Sequence, residues 1–258
     1  MSDFERCVDF IYGIAERAAT TTVPSTFGVA YVELDVPNVW SRNYLLATEN
    51  LAEATAAELA AEADRILGAA GLGHRKVELI DAKAGDRLLG GFQELGWKAE
   101  CDVIMVAAHE SETDADTSIV EEVTVDELVP TWTAGWRTDP DVLGDVVIQQ
   151  LIESKRALPD VIETRFFAAR VDGEVASYCE LYSDGSTAQI ENVFTLERFR
   201  NRGLARATVS HARAEALRMG NDLTFLIADR DDWPKQLYAK LGFDEVGRVW
   251  EFVLPRRA

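Results

Sequence analysis

Leu95-Gly96-Trp97 and Leu241-Gly242-Phe243 close two segments of one design, and this repetition narrows the folds open to the chain more than any other feature. VELIDAKAGDRLLGGFQELGW, Val77 to Trp97, can be laid on TFLIADRDDWPKQLYAKLGF, Thr224 to Phe243, with one gap. Each reads as an apolar strand, a loop, a short helix and a Leu-Gly-aromatic stop. The shared order around the shared tripeptide favours duplication of one unit. A chain of 258 residues allows one or two domains at about 150 residues each, and the repeat selects two. The boundary falls in the polar run HESETDADTS, His109 to Ser118, whose only apolar residue is Ala115. The expected division is a first domain over 1–110, a linker over 111–118 and a second domain over 119–258.

The second half is the better punctuated. Helical spacing runs from Val125 to Arg137 and from Val142 to Lys155. Three strands follow, Thr164 to Val171, Glu174 to Tyr182 and Thr187 to Thr195, joined by Asp172-Gly173 and Asp184-Gly185, pairs that favour hairpin turns. A long helix from about Arg202 to Met219, a strand from Leu223 to Ala228 and a short helix from about Pro234 to Leu241 precede a closing pair of strands over Phe243 to Leu254. In the first half, strands are expected at Phe27 to Val36, Asn43 to Thr48, Lys76 to Ile80 and Asp102 to Val106. Helices are expected at Leu51 to Ala70 and Arg87 to Leu95.

Charge and cysteine usage exclude several partners. The formal net charge of −19 repels phosphate backbones and anionic lipid unless basic residues cluster locally. Nucleic acid and membrane are therefore not expected as partners. Acids outnumber bases 21 to 9 before Ile119 and 24 to 17 from it onward, so the missing positive charge belongs mostly to the first half. Cys7, Cys101 and Cys179 are far apart with no C-x-x-C spacing, which suggests neither a disulfide framework nor a zinc site. No metal is expected. The N-terminus lacks a basic start and a continuous apolar core, and a cytoplasmic location fits best.

The run IENVFTLERFRNRGLARATV, Ile190 to Val209, carries the chemistry. It reads as a strand, a basic turn, and then Gly203 and Ala205 at the start of a long helix. The first N–H groups of a helix have no partner within it, and the helix dipole places partial positive charge there. Small residues let an anion approach those amides. Arg198, Arg200, Arg202 and Arg206 surround the turn, so an acidic chain concentrates positive charge at one place. The alternative is that Gly203 and Ala205 only ease packing while the arginines pair with surface acids. No G-x-x-x-x-G-K-[ST], three-glycine dinucleotide fingerprint, G-x-S-x-G or H-E-x-x-H is present.

Residues 119 to 256 resemble a GCN5-related N-acetyltransferase (GNAT) domain. The family's acyl-CoA signature, [Arg/Gln]-x-x-Gly-x-[Gly/Ala], is met by Arg200-Asn201-Arg202-Gly203-Leu204-Ala205, and its second signature by Leu237-Tyr238-Ala239-Lys240-Leu241-Gly242-Phe243. With the repeat, the resemblance implies a mixed-sheet α/β fold of two tandem GNAT-like domains, the first lacking the acyl-CoA signature. It implies acetyl-CoA as co-substrate, held by main-chain groups of Val193, Phe194 and Thr195, by the amides from Arg202 to Ala205, and by Arg200, Asn201 and Arg206.

Asp231 stands near the place where the family often carries an asparagine toward the pantetheine, and Leu196-Glu197 replaces the usual proline after the core strand. The resemblance further implies direct transfer to a small-molecule amine, for which a cationic acceptor suits the acidic surface. Glu191 is the candidate general base, because equal parity puts it on the face of Val193 and Thr195. Tyr238 is the candidate general acid. The alternative is an acyl-CoA sensor or regulatory module without turnover. The first half has Phe92 in place of Tyr238, and its run ATENLAEATAAELAAEA has no basic turn and no glycine. That half reads as structural or substrate-shaping, with Trp40, Trp97, Trp132 and Trp136 as candidates for a wall between halves.

Overall fold

Hairpin pairs and Thr-x-x-Glu sequences set much of the local structure. In the computed structural model, which describes residues 1–112, 114–142 and 144–255, Thr55 and Glu58 form a reciprocal capping box that starts helix α2, Ala56–Ala63. Thr124 and Glu127 do the same for α4, Val125–Trp136. Thr113 of the expected linker and the last three positions of the expected second domain lie outside the described residues.

The chain divides into two compact units that are not colinear with the sequence. The first comprises Val8–Val103, Leu143–Ser154 and Gly247–Ala258, and the second Met1–Cys7, Ile104–Val142 and Lys155–Val246. These units depart from the linear division expected at 111–118. Polar runs in a sequence mark exposed connections, whereas the units follow which strands and helices pack together.

In the first unit, α1 (Asp3–Ala18) enters at Val8, and strands β1 (Thr21–Ser25), β2 (Gly28–Val32), β3 (Tyr44–Ala47) and β4 (Arg75–Leu79) pair in that order. The C-terminal part of β11 (Phe243–Leu254) pairs antiparallel with β4, from Trp250 opposite Leu79 to Leu254 opposite Arg75. Strand β1 and helix α1 are additions to the sequence expectation. The expected helix Leu51 to Ala70 is shorter: α2 cannot begin before its Thr55 cap, and it passes into one π-helical turn at Asp64–Gly68.

Strands β3 and β4 are parallel, Leu45 opposite Val77, with α2 crossing between them. Helix α3 (Ala82–Glu94) starts earlier than expected because Asp81 caps it, accepting from the amides of Lys83 and Ala84. Gly85 lets α3 approach the sheet: a Cβ there would lie 2.0 Å from Trp250 Cδ1. The core holds Leu45, Leu59, Leu67, Val77, Phe92, Trp97 and Phe252, with Phe92 stacked on Phe252.

In the second unit, β6 (Val120–Val123), β7 (Glu163–Val171), β8 (Glu174–Ser183), β9 (Thr187–Thr195) and β10 (Leu223–Asp229) are neighbours in that order. Asp172 and Gly173 take left-handed φ of 52° and 84° in the β7–β8 turn, as a tight hairpin requires. Strands β9 and β10 run parallel, connected by α6 (Leu204–Arg218), and α7 (Pro234–Lys240) follows. The succession strand, helix, parallel strand, helix, long strand occurs in both halves of the chain. In the first half it ends in β5 (Lys98–Ala107) and in the second in β11.

Two expectations are corrected by these strands. The closing pair over Phe243 to Leu254 is one twelve-residue strand, β11, because Gly247 stays extended instead of turning. Trp97 and Trp132, two of the four tryptophans named as candidates for a wall, are instead each buried in the core of its own unit.

Candidate functional site

The site is built where β9 leaves β10. The two strands pair from Thr187 opposite Leu223 to Ile190 opposite Leu226, and there their register stops. β9 continues to Thr195 against β8 alone. The cause is a bulge. Ser177 faces Thr195 and Tyr178 faces Phe194, but Glu180 faces Glu191, so β9 carries one extra residue in this stretch. Asn192 takes the left-handed conformation that the bulge needs, φ 52°, which asparagine tolerates better than most residues.

The bulge overturns the parity argument for Glu191. Opposite residues of an antiparallel pair share a face, so Glu191 lies with Glu180, Tyr178 and Phe194. Val193 and Thr195 lie on the other face, with Cys179 and Ser177. Cys179 Sγ donates to Thr208 O of α6, which identifies that second face. The extra residue broke the alternation, so equal parity across it no longer meant the same face.

Main-chain directions follow from the same ladder. Leu196 N donates to Ala176 O at 3.0 Å, so by alternation the N–H and C=O of Phe194 also point to β8, and those of Val193 and Thr195 point into the slot beside β10. Arg200 Nε donates to Thr195 O at 3.3 Å. Among the residues expected to touch a pantetheine, Val193 and Thr195 therefore offer main-chain groups. Phe194 instead offers its ring, 5.6 Å from that of Tyr178.

The arginine turn leads into α6. Asn201 and Gly203 have φ of 62° and 79°, and among the described residues no side chain caps the helix. A Cβ on Gly203 would meet nothing within 4 Å, so the space on that side of the helix start is open. Leu204 is buried, so it has only its main chain to offer a ligand, while Ala205 is half-buried. The contrast with α2 is physical: there Thr55 Oγ1 accepts from Glu58 N at 3.2 Å, so that helix end is closed by its own cap.

The four arginines differ. Arg198 is paired with Glu174 and lies over the Phe199 ring. Arg202 stacks on the same ring and donates to Arg198 O at 3.4 Å. Arg206 donates to Asp114 O at 3.5 Å, and among the described residues its buried Nε has no partner. An uncapped helix end, a glycine cradle and an orphaned guanidinium N–H suit an anion such as a diphosphate. Asp231 lies on the exposed loop after β10, paired with Arg230 at 3.1 Å, which keeps its carboxyl below the usual range.

Glu191 accepts from Gln189 Nε2 at 2.6 Å. Its pKa is raised by burial and by Glu180, against the opposing charge of Lys155. Tyr238 on α7 is buried, edge-on to Phe243, with its pKa raised by burial and then by the charges of Glu191, Cys179 and Asp232. It remains a protonated donor at neutral pH. Glu191 and Tyr238 are thus within electrostatic reach of one another.

Sequence reasoning missed Glu180, Lys155 and Asn192. Glu180 has no exposed surface and takes Lys155 Nζ at 2.8 Å, Asn192 Nδ2 at 2.6 Å and the Tyr182 hydroxyl. Asn192 within a strand-like run was the available signal. Among the described residues, no group of three or more His, Cys, Asp or Glu is placed to hold a metal ion, and no helix is long and apolar enough to cross a membrane.

Residues 124–243 match the model of the acetyltransferase (GNAT) family. No curated protein matches the chain in sequence. The structure is similar to that of a functionally unknown conserved protein from Staphylococcus epidermidis, 13% identical, with a TM-score of 0.68 over 91% of this chain and 93% of that one. It is similar to a GCN5-related N-acetyltransferase from Kribbella flavida, 18% identical, with a TM-score of 0.66 over 98% and 95%. A tandem GNAT protein from the clavulanic acid biosynthesis pathway is 12% identical, with a TM-score of 0.52 over 78% and 70%. At these identities the likeness is one of fold, and the fold is one that supports acyl transfer.

Proposed function

We propose that this chain, whose residues 124–243 belong to the acetyltransferase (GNAT) family, transfers an acetyl group from acetyl-CoA directly to a small-molecule amine. The observation that carries the reading is the opening of β9 from β10 beside a glycine-started helix without a side-chain cap, with Glu191 the first residue past the last paired position. Arg200, Asn201, Arg202 and Arg206, with the amides from Arg202 to Ala205, would hold the diphosphate, and the main chain of Val193 and Thr195 would hold the pantetheine arm. Acetyl-CoA supplies an activated thioester acyl group.

The acceptor is an alkyl ammonium at neutral pH and must lose a proton before its lone pair can attack. Glu191 takes that proton, directly or through water. As the C–N bond forms and the C–S bond breaks, the Tyr238 hydroxyl donates to the departing sulfur. No covalent enzyme intermediate is needed: the nitrogen loses two protons, the first to Glu191 and the second, shed as the amide forms, to the tyrosinate left when Tyr238 protonates the sulfur, so the hydroxyl is restored. The first unit is structural in this reading: Phe92, which matches Tyr238 in the repeat, has no hydroxyl, and the start of α2 is self-capped.

Calorimetric titration with acetyl-CoA, followed by thiol release against a panel of amines, tests the reading. Binding with amine-dependent thiol release is expected, and Glu191→Gln should remove the acid limb of the pH profile and lower turnover about 10²-fold. Binding without release against the whole panel would select the acyl-CoA sensor instead. Absence of binding would end both readings.

A further inference from the structure

Glu180 lies in the middle of β8, directly opposite Glu191, with no exposed surface. A buried carboxylate is costly unless every lone pair is used, and here three donors converge on it. Lys155 Nζ at 2.8 Å and the Tyr182 hydroxyl reach Oε2, and Asn192 Nδ2 reaches Oε1 at 2.6 Å. Asn192 is the residue that is out of register, and its φ of 52° is one that a β-strand does not use. Two residues before it the pairing of β9 with β10 ends, and one residue after it comes Val193, whose main chain faces the slot. The charged cluster therefore meets the strand where the slot opens.

We infer that Glu180 is a positioning residue for acyl transfer, clamping Asn192 so that the β9 bulge stays formed and Glu191 and Val193 keep to opposite faces. The inference rests on the reading of Glu191 as base and of β9 as the wall of the acyl-CoA slot. Two features support it. Aspartate in place of Asn192 would set like charges together at hydrogen-bond distance, so the clamp has a definite polarity. Glu180 also acts on Glu191 through space: its charge raises the Glu191 pKa while Lys155 opposes it, with Tyr238 the other titrating group in reach.

Three variants test the inference. Asn192→Asp should speed hydrogen exchange of the amides over 191–196 in the protein alone and weaken acetyl-CoA binding at least tenfold. Adding Glu180→Gln should restore both to within about threefold, because a glutamine amide can donate to the new carboxylate. Glu180→Gln by itself keeps a neutral acceptor for Asn192 but removes the charge, so the acid limb of the pH profile should move down by about half to one pH unit with acetyl-CoA affinity little changed. A double variant no better protected than Asn192→Asp, or a Glu180→Gln profile that superimposes on the wild type, would overturn the clamp. The exchange measurement needs neither ligand nor turnover, so loss of the clamp is separable from loss of the acetyltransferase reading, which would show as wild-type protein that neither binds acetyl-CoA nor releases thiol.

Discussion

Gly203 gives the sharpest test of the anion cradle, because its replacement separates charge from shape. Its φ of 79° imposes the same left-handed strain, of about 1 kcal/mol, on any L side chain, and a Cβ there meets nothing within 4 Å. Gly203→Glu and Gly203→Gln therefore share strain and size and differ in one negative charge. Set about 6 Å from a diphosphate carrying about two charges, with an effective dielectric of about 40–80, that charge costs roughly 1.4–2.8 kcal/mol. The expected ratio of dissociation constants is about 10- to 100-fold. Calorimetry with acetyl-CoA at two ionic strengths measures it, and the ratio should shrink with salt, since screening at about 0.1 M acts within about 10 Å. The helix dipole reverses the sign for stability: a carboxylate at the start of α6 should leave Gly203→Glu as stable as Gly203→Gln or more so, by up to about 1 kcal/mol. Equal affinities for the two variants at low salt would refute the cradle.

Tyr238→Phe should lower turnover about 10²-fold while acetyl-CoA affinity stays within about twofold, and full turnover across the pH range would dismiss the acid. His74, buried against Asn43 O at 2.9 Å, titrates at about 4, so the unfolded chain takes its proton first and the residue's contribution is lost as pH falls from about 6.5 to 4. The pKa of Glu78 is raised chiefly by burial, against the opposing charge of Lys76 at 2.8 Å, so the folded chain holds its proton more tightly and its contribution is lost as pH rises above about 4.5. The two oppose each other over their common window. Chemical denaturation of His74→Gln at pH 4.5, 5.5 and 6.5 should expose the Glu78 trend, with stability falling as pH rises, and a rising curve would contradict the assignment.

The second half of the chain was legible because its punctuation is local. Asp172-Gly173 turns where such a pair must, and Thr124 with Glu127 caps a helix within four residues. Gly203 and the arginines likewise lie in one short run. The bulge was not legible, because strand alternation is read as unbroken and Asn192 interrupts it by conformation rather than by polarity. Glu180 was hidden for a related reason: a lone carboxylate in a strand reads as solvent-facing, and only the folded chain leaves it without exposed surface. The division into units was hidden because it depends on which distant strand β11 joins, and nothing within Phe243 to Leu254 states that it pairs with β4.

Net charge is the weakest guide to what this chain can bind, and its two crossover helices show why. At physiological salt the Debye length is about 8 Å, so most of the 45 acids do not act on the start of α6. What acts there is the open set of amides and the nearby guanidinium groups. Arg198 is paired with Glu174, which leaves Arg200, Arg202 and Arg206 as the cations of the proposed cradle rather than the four that the sequence suggests. At α2 the same helix geometry has no such function, because Thr55 uses one terminal amide and Glu58 adds a negative charge at that end. A positive helix end attracts an anion only when its amides are not already satisfied by the chain itself. Capping state and local pairing therefore separate the two halves more sharply than their composition does, and they separate them in the direction that the proposed acyl-CoA binding by the second half requires.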